Sequence, residues 1–304
     1  GDCGARGLVR ETAPVRIDLH THSLASDGTQ APTELITAAQ QAGLDVVAIT
    51  DHDGTGGWAE AAEAATRVGI ELVRGIEIST KHRHHGVHLL AYLPDPTHPG
   101  LRAELDRIVE GRSSRAPAMV AALRRAGIEV SMDDIAAAVP GRPHVADALV
   151  RQGVVSSRDE AFSEYLNPGR PGYVNRYAAD LTATIRLVAS AGGVTVLAHP
   201  WGRGRKDDLP AGDIARLRDA GLSGVEVDHQ DHKDPDVREE LRAVARDLDL
   251  VVTGSSDHHG LGKTNHELGC NTTAPDEYRT SGSIAFARIM LPPSSLANLP
   301  LQHV

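Results

Sequence analysis

The sequence has few cysteines and few aromatic residues, and it lacks a long hydrophobic run. Two cysteines in 304 residues cannot form a disulfide framework, and they exclude a metal site built from thiolates. No apolar stretch reaches the roughly 18 residues that a membrane-spanning helix needs, and no charged-then-apolar leader is seen. Thirty-one basic against 41 acidic residues give a net charge of −10, which argues against a broad nucleic-acid-binding surface. We therefore expect a globular protein of the cytoplasm.

Histidine is the residue present in excess. The chain contains 16 histidines but only two Phe, two Trp and five Tyr residues. Histidine is the commonest metal ligand and the side chain that titrates nearest neutral pH. In a chain that also supplies many carboxylates, this excess predicts a metal site.

Short apolar runs alternate with Ala-rich amphipathic segments, which predicts repeated βα units and a parallel sheet. A helix is predicted at Pro32–Ala42, with a proline at its start and a glycine just after its end. A buried strand is predicted at Asp45–Thr50. Two further strands are predicted at Ile70–Val73 and Val87–Tyr92, with Gly75–Ile78 between them.

The alternation divides the chain into a discontinuous α/β domain and an insertion. The βα units occupy residues 15–95 and 180–280. Strand signals thin out over residues 96–179, where helix-like stretches recur, so we predict a helical insertion that contributes to the substrate site. Residues 281–304 contain one charged side chain and three prolines, which predicts a loosely packed tail.

Polar residues cluster where the predicted strands end, which is where parallel α/β folds place their functional groups. Histidines or acids follow at least four strands, and two more candidates lie within strand-like runs. The candidates are His20, His22, Asp27, Asp51, His52, Asp53, His199, Asp257 and His259 after strands, and Glu77 and His88 within strands.

The residue types at these positions favour bound cations. His20 and His22 lie two apart on an extended chain, so their rings face the same side. Burying Glu77 without a partner would cost several kcal/mol, and a bound cation removes that penalty. More than six candidate ligands exceed what one tetrahedral ion takes, so two or three divalent ions (Mn, Fe or Zn) fit the count better.

Seven sequence elements carry a resemblance to a known family. They are HTHSLASDG, ITDHD, GIEIS, VHLLAY, GRPH, LAHP and SSDHHG. In this order and spacing they resemble the PHP (polymerase and histidinol phosphatase) family of metal-dependent phosphoesterases. GRPHVADAL and LGCNTT are similar to its stand-alone bacterial TrpH/YciV branch.

The resemblance implies a fold, a cofactor set and a reaction. The fold is α/β, a distorted (β/α)7 barrel with metal ions at its C-terminal face. A first ion is implied at His20, His22, Glu77 and Asp257, a second at Glu77, His88 and His199, and a third at Asp27, His52 and His259. The implied reaction is hydrolysis of nucleoside 3′,5′-bisphosphates, or of short RNA from the 5′ end, by a hydroxide generated at the metal ions.

Three residues are candidates for contact with the substrate. Arg142 and His144 belong to the GRPH element, where this branch contacts substrate phosphate. A planar guanidinium suits bidentate phosphate binding, although an arginine at a helix start is also common on plain surfaces. Trp201 either stacks on a base or packs under the rim.

The predicted catalytic set is His199, His229 and Asp257. His199 and His229 are candidates for the general acid, although a metal-bound imidazole cannot easily donate a proton. Asp257 and a ligand two residues later share one strand face, which favours His259 over His258 as a ligand.

Two sets of polar residues keep alternative interpretations. Asp51 and Asp53 either orient His52 or cap the following helix. The run Lys81–His85 is typical of an exposed turn between strands.

The acidic net charge fits a small phosphorylated substrate, a nucleotide or a short oligonucleotide, better than long nucleic acid. No obligate protein partner and no membrane are predicted. A histidinol-phosphate-type phosphomonoesterase and a non-catalytic metal-binding PHP module remain the alternatives.

Overall fold

A computed structural model describes residues 14–135 and 141–279 of the chain, so the predicted tail at 281–304 lies outside the described residues. Eight strands form one sheet in the described part. They are β1 (Ile17–Asp18), β2 (Val46–Ile49), β3 (Glu71–His82), β4 (His85–Tyr92), β5 (Ala179–Asp180), β6 (Val194–Leu197), β7 (Gly224–Asp228) and β8 (Val251–Gly254).

The sheet closes into a distorted barrel of seven strands. Neighbouring strands follow the order β1-β2-β3-β4-β6-β7-β8, and β5 pairs with β3 off this path. A parallel bridge between Thr21 and His258 joins the chain after β1 to the chain after β8. There the His22 amide donates to the His258 carbonyl oxygen at 2.8 Å. The predicted (β/α)7 barrel is confirmed.

One hairpin interrupts the parallel order that the sequence predicted. β4 runs antiparallel to both β3 and β6. The predicted strand at Ile70–Val73 does not end before Gly75–Ile78 but continues through it as the 12-residue β3. His82 pairs with His85 across a two-residue turn, and a turn that short can join only antiparallel strands. The exposed turn predicted around Lys81–His85 is confirmed.

Ten α-helices occur in the described part of the chain. They are α1 (Pro32–Gln41), α2 (Trp58–Val68), α3 (Pro99–Ser113), α4 (Arg115–Arg125), α5 (Arg142–Arg151), α6 (Arg158–Ala161), α7 (Leu181–Ser190), α8 (Ala211–Asp219), α9 (Pro235–Asp247) and α10 (Pro275–Arg279). Helices α3–α6 lie between β4 and β5, and α4–α6 pack around their own apolar cluster, which includes Met119, Leu123 and Leu149. None of these ten helices is long and apolar enough to cross a membrane.

Side chains fill the barrel, and this places the polar groups at its rim. The interior cluster includes Ile17, Leu90, Tyr92 and Val196. The Tyr92 hydroxyl donates to the Leu19 carbonyl oxygen at 2.8 Å. Because the interior is packed, the side chains that follow each strand project over the carboxyl edge of the sheet.

Candidate metal centre

Four buried side chains meet at the middle of the rim. His20 and His22 follow β1, Glu77 lies in β3 and Asp257 follows β8. The Nε2 atoms of His20 and His22 lie 3.1 and 3.0 Å from Glu77 Oε2. The same two nitrogens each lie 3.4 Å from Asp257 Oδ1. The structure therefore brings together the four residues predicted to hold the first ion.

The second oxygen of Glu77 faces another pair of imidazoles. His88 Nδ1 lies 2.8 Å and His199 Nε2 lies 3.3 Å from Glu77 Oε1. His88 reaches this position because β4 pairs with β3 in a register that sets it opposite Ser79, two residues beyond Glu77 and on the same face. Glu77 therefore lies between the residues predicted to hold the first ion and those predicted to hold the second.

The residues predicted to hold a third ion gather around Asp27. His259 Nε2 lies 3.3 Å from Asp27 Oδ1, and His52 Nε2 lies 3.6 Å from Asp27 Oδ2. His22 Nδ1 lies 3.5 Å from Asp27 Oδ1, which links this group to the first. The turn that carries Asp27 requires a glycine at position 28, since a Cβ on Gly28 would lie 2.3 Å from the His22 carbonyl oxygen. All nine predicted ligands thus share one centre.

The structure also distinguishes His259 from its neighbour. His259 Nδ1 donates to the Asp257 carbonyl oxygen at 2.8 Å, which turns Nε2 toward the third group. His258 points away, with its two nitrogens 2.8 Å from the His266 carbonyl oxygen and 2.9 Å from Gln30 Oε1. The interpretation that favoured His259 agrees with this geometry.

The donor atoms fit divalent cations. Glu77 Oε1 makes no hydrogen bond within the described residues, although two imidazole nitrogens approach it closely. His20 Nε2 and His22 Nε2 lie only 3.1 Å apart and face the same carboxylates. Nitrogens and carboxylate oxygens that converge without hydrogen-bond geometry suit a shared cation, and this donor set suits Mn, Fe or Zn.

The buried histidines and carboxylates of the centre shift one another's pKa values. Burial alone would raise the pKa of Glu77, but the surrounding imidazoles, first of all His88, hold it well below its usual range. Burial alone would lower the pKa of His22, yet its contacts with Asp257 and Glu77 raise it to about 9. Positive charge therefore stabilises the buried carboxylates, and protons supply this charge when no metal ion is bound.

Glu226 is a member of the centre that was not predicted. It lies in β7 and is fully buried. Its Oε1 accepts from His20 Nδ1 at 3.1 Å and from the Ser255 hydroxyl, and its Oε2 accepts from the His199 amide at 2.9 Å. Burial would raise its pKa, but His20 and its other histidine neighbours lower it to about 2. An acid inside the apolar run GVEVD is the same signal that marked Glu77.

Asp51 and Asp53 hold the rim loops in place. Asp51 accepts from the amide and the hydroxyl of Ser23, both at 2.7 Å. Asp53 accepts from the amide and the hydroxyl of Ser79 at 2.6 and 2.8 Å. Neither carboxylate caps the following helix, and neither forms a hydrogen bond with the His52 ring. Both predicted alternatives are therefore wrong, and the two carboxylates anchor the rim loops instead.

The geometry argues against the predicted role of His229 as general acid. The ring is fully buried, and its Nδ1 accepts from the Asp231 amide at 3.0 Å. The only ring proton therefore sits on Nε2, which donates to Asp257 Oδ2 at 3.2 Å. This ring N–H is therefore directed at Asp257, which the His229 ring orients.

The structure gives each of the three predicted substrate residues a partner within the protein. Trp201 is buried, and its indole N–H donates to the Leu209 carbonyl oxygen at 2.8 Å, which agrees with the predicted alternative that the ring packs under the rim. His144 Nδ1 accepts from the Gly141 amide at 3.0 Å and so caps the start of α5. The guanidinium of Arg142 lies over an aromatic ring of the insertion and is half-buried.

An α/β barrel whose rim gathers imidazoles around shared carboxylates has the architecture of a metal-dependent hydrolase. The comparisons with known proteins narrow this class. The PHP domain family matches residues 18–131. A 3′,5′-nucleoside bisphosphate phosphatase of Chromobacterium violaceum is 37% identical over 281 residues, which cover 91% of this chain and 98% of the relative. A 5′-3′ exoribonuclease of Haemophilus influenzae is 36% identical over 257 residues, which cover 80% of this chain and 90% of the relative.

A solved structure agrees with these relatives. A protein of Bifidobacterium adolescentis, assigned to the metal-dependent phosphoesterases, superposes with a TM-score of 0.75 at 36% identity over 88% of this chain and 96% of that one. The chain belongs to the PHP family of metal-dependent phosphoesterases and is a hydrolase of phosphoester bonds. The named activities of the relatives argue against a non-catalytic module.

Proposed function

We propose that the protein hydrolyses phosphate esters of nucleotides, namely nucleoside 3′,5′-bisphosphates and short RNA attacked from its 5′ end. Two to three divalent ions, Mn, Fe or Zn, would be held by His20, His22, Asp27, His52, Glu77, His88, His199, Asp257 and His259. Cations bound there would acidify a water molecule and neutralise charge on the phosphate oxygens. A cytoplasmic location and the absence of an obligate protein partner stay predictions.

The chain's own residues would do three things in this reaction. Glu77 would tie two ion sites together, because its two oxygens face different groups of imidazoles. Glu226 would fix His20 through Nδ1 and so aim Nε2 at the centre. The half-buried His88 and His199 would leave the outer side of the centre open to substrate.

Four arginines support a substrate with a second phosphate, namely Arg112, Arg115, Arg142 and Arg176. Arg112 donates to the Asp53 carboxylate and, at 3.0 Å, to a rim hydroxyl. Burial, with the positive charges of Arg142 and Arg176, lowers the pKa of Arg115 to about 10. Guanidinium groups that destabilise one another's charge form a site that an anion stabilises. We name these four residues the arginine cluster.

The position of the arginine cluster is the observation that carries the proposal. Asp53, which holds Arg112, directly follows the proposed ligand His52, and Ser79 lies two residues beyond Glu77. Arg112 therefore lies next to residues of the metal centre, and the charges of the other three arginines act on one another or on Arg112. A nucleoside bisphosphate would place one phosphate at the metal ions and the other on the cluster. The relative named 3′,5′-nucleoside bisphosphate phosphatase supports the same substrate class.

Phosphate release from adenosine 3′,5′-bisphosphate, compared with the 3′- and 5′-monophosphates, tests the proposal. We expect the bisphosphate to be preferred, and Arg142→Ala to raise its KM about tenfold or more while KM for a monophosphate changes little. Arg151→Ala is the matched control, since Arg151 lies on the same helix and is exposed. Equal rates on monophosphate and bisphosphate would favour the histidinol-phosphate-type phosphomonoesterase instead.

A further inference from the structure

Three cations line a cleft whose wall also contains Glu77, His88 and His199, and no member of the arginine cluster lines it. Arg203 and Arg205 belong to the loop after β6, and Lys263 follows β8. We name them the loop cations. The arginine cluster touches residues after β2 and within β3, whereas the loop cations border β6 and β8, with β4 between the two groups on the strand path. The arginine cluster and the loop cations are therefore two separate groups of positive charge.

The loop that carries Arg203 is fixed to its neighbour. The Arg203 amide donates to the Asp231 carbonyl oxygen at 3.3 Å, and its Nε donates to Asp231 Oδ2 at 3.0 Å. Gly202 permits this approach, since a Cβ there would lie 2.8 Å from Asp231 Cβ. Arg203 itself has a left-handed backbone with φ of 58°, which costs about 1–2 kcal/mol outside glycine. The loop therefore holds the basic side chain of Arg203 at the mouth of the cleft in a strained backbone conformation.

The positive charge of this surface is only partly neutralised. The Arg203 side chain is 65% exposed although it pairs with Asp231. Arg205 is exposed and makes no ion pair within the described residues. Lys263 Nζ lies 2.5 Å from Asp257 Oδ2, beside the metal centre. Among the three loop cations, Arg205 alone therefore lacks a carboxylate partner within the described residues, in a chain whose net charge is −10.

We infer that the loop cations bind the phosphodiester groups of an oligoribonucleotide on the 3′ side of the scissile linkage. The inference rests on the proposed function, because it assumes that the scissile phosphate lies at the metal centre. A nucleoside bisphosphate has two phosphates, and the arginine cluster and the metal centre accommodate both. The loop cations form a third anion site, which only a nucleotide chain that continues past the scissile linkage can occupy. Proteins commonly bind the backbone of a single strand in a positively charged groove of this kind.

The double substitution Arg203→Ala with Arg205→Ala tests the inference against two substrates. For a 5′-phosphorylated tetraribonucleotide, we expect kcat/KM to fall about 10- to 100-fold, because two charge-assisted phosphate contacts are lost. For adenosine 3′,5′-bisphosphate, we expect a change of no more than about twofold, as is usual for exposed residues outside a binding site. Each phosphate contact to a single strand adds about 0.7 to the slope of log affinity against log salt, so the slope should fall by about 1.4.

Lys206→Ala is the matched control. Lys206 lies in the same loop, but its ammonium pairs with Glu240 of α9 rather than facing the cleft. This variant should hydrolyse both substrates at the parent rate. Equal losses on both substrates in the double variant, or no loss on either, would overturn the inference.

A binding measurement separates this inference from the proposed function. The fluorescence anisotropy of a labelled tetraribonucleotide with a slowly cleaved phosphorothioate first linkage gives Kd directly. If the parent protein cleaves neither substrate, the proposed function fails, yet a weaker Kd in the double variant alone would still support a binding site for the strand on the 3′ side. An unchanged Kd would refute it.

Discussion

Replacing Glu226 with Gln should weaken metal binding while the barrel stays folded. Glu226 is fully buried and accepts from His20 Nδ1, from the Ser255 hydroxyl and from the His199 amide. The amide of glutamine keeps the shape of the side chain, but it removes the negative charge behind the His20 ring. His20 then loses the partner that fixes its orientation and increases its basicity toward a cation.

The expected size of this effect follows from the contacts. A hydrogen bond to a charged group contributes about 1.5–3 kcal/mol. Partners of this kind behind a metal ligand are typically worth 10- to 100-fold in metal affinity, which is about 1.4–2.7 kcal/mol. The two ranges agree, so we expect Glu226→Gln to lower Mn affinity by about one to two orders of magnitude. Ion sites that do not involve His20 should lose less.

Calorimetric titration of Mn into the metal-free protein, with elemental analysis of the purified protein, measures this affinity. Asp213→Asn is a matched control. Asp213 is also a buried carboxylate with a histidine partner, His82 at 2.9 Å, but it fastens the β3–β4 turn to α8 outside the centre. The control should lower the melting temperature and leave Mn affinity unchanged. Mn affinity within about twofold of the parent in Glu226→Gln would refute the reasoning.

Three further predictions concern the centre itself. Glu77→Ala should abolish phosphate release and lower the metal content, because both oxygens of Glu77 face imidazole groups; activity within about tenfold of the parent, a barrier change of only about 1.4 kcal/mol, would contradict this. Gly28→Ala should displace the turn that carries Asp27, since its Cβ would meet the His22 carbonyl oxygen, and elemental analysis should show selective loss of one ion. Metal binding at pH 7–8 should release protons, because the pKa of His22 is raised from 6.5 to about 9 in the metal-free protein. Because the pKa of His22 is raised in the fold, the protonated ring stabilises the metal-free protein fully below pH 6.5. This stabilisation is lost as the pH rises through 9, so Mn affinity should increase between pH 6.5 and 9. Calorimetry in buffers of different ionisation enthalpy counts the protons, and a count of zero would contradict the prediction.

The ligand cluster could be predicted because each ligand has a local signal. His20 and His22 alternate on one extended segment, and His199 directly follows a strand, so strand periodicity alone places them at one rim. Glu77 stands out as an acid inside an apolar run. The motif resemblance assigns the nine positions to groups, and the distances agree with the first and third of them. In the second group, His88 and His199 both lie near Glu77, but His199 also lies near His229 and Asp257.

The features that sequence reasoning missed depend on contacts between distant residues. The hairpin of β3 and β4 was missed because the glycine in Gly75–Ile78 suggests a break, whereas pairing along the whole strand overrides it. Glu226 meets His20 across 206 positions, and no local pattern reports such a contact. The burial of Trp201 is equally invisible, since an aromatic residue after a strand suits both a core and a binding surface.

Chemistry and substrate choice are carried by different parts of this fold. The strand ends of the barrel supply buried ligands such as Glu77 and Asp257, which tolerate little change without loss of the centre. The cations that would choose the substrate, Arg142 in the insertion and Arg203 and Arg205 in the loop, lie outside the barrel strands and are half-buried or exposed. Sequence change in these segments can therefore alter the length of substrate accepted while the hydrolytic centre stays intact. Relatives of 36–37% identity, named as a 3′,5′-nucleoside bisphosphate phosphatase in one case and a 5′-3′ exoribonuclease in the other, agree with this separation.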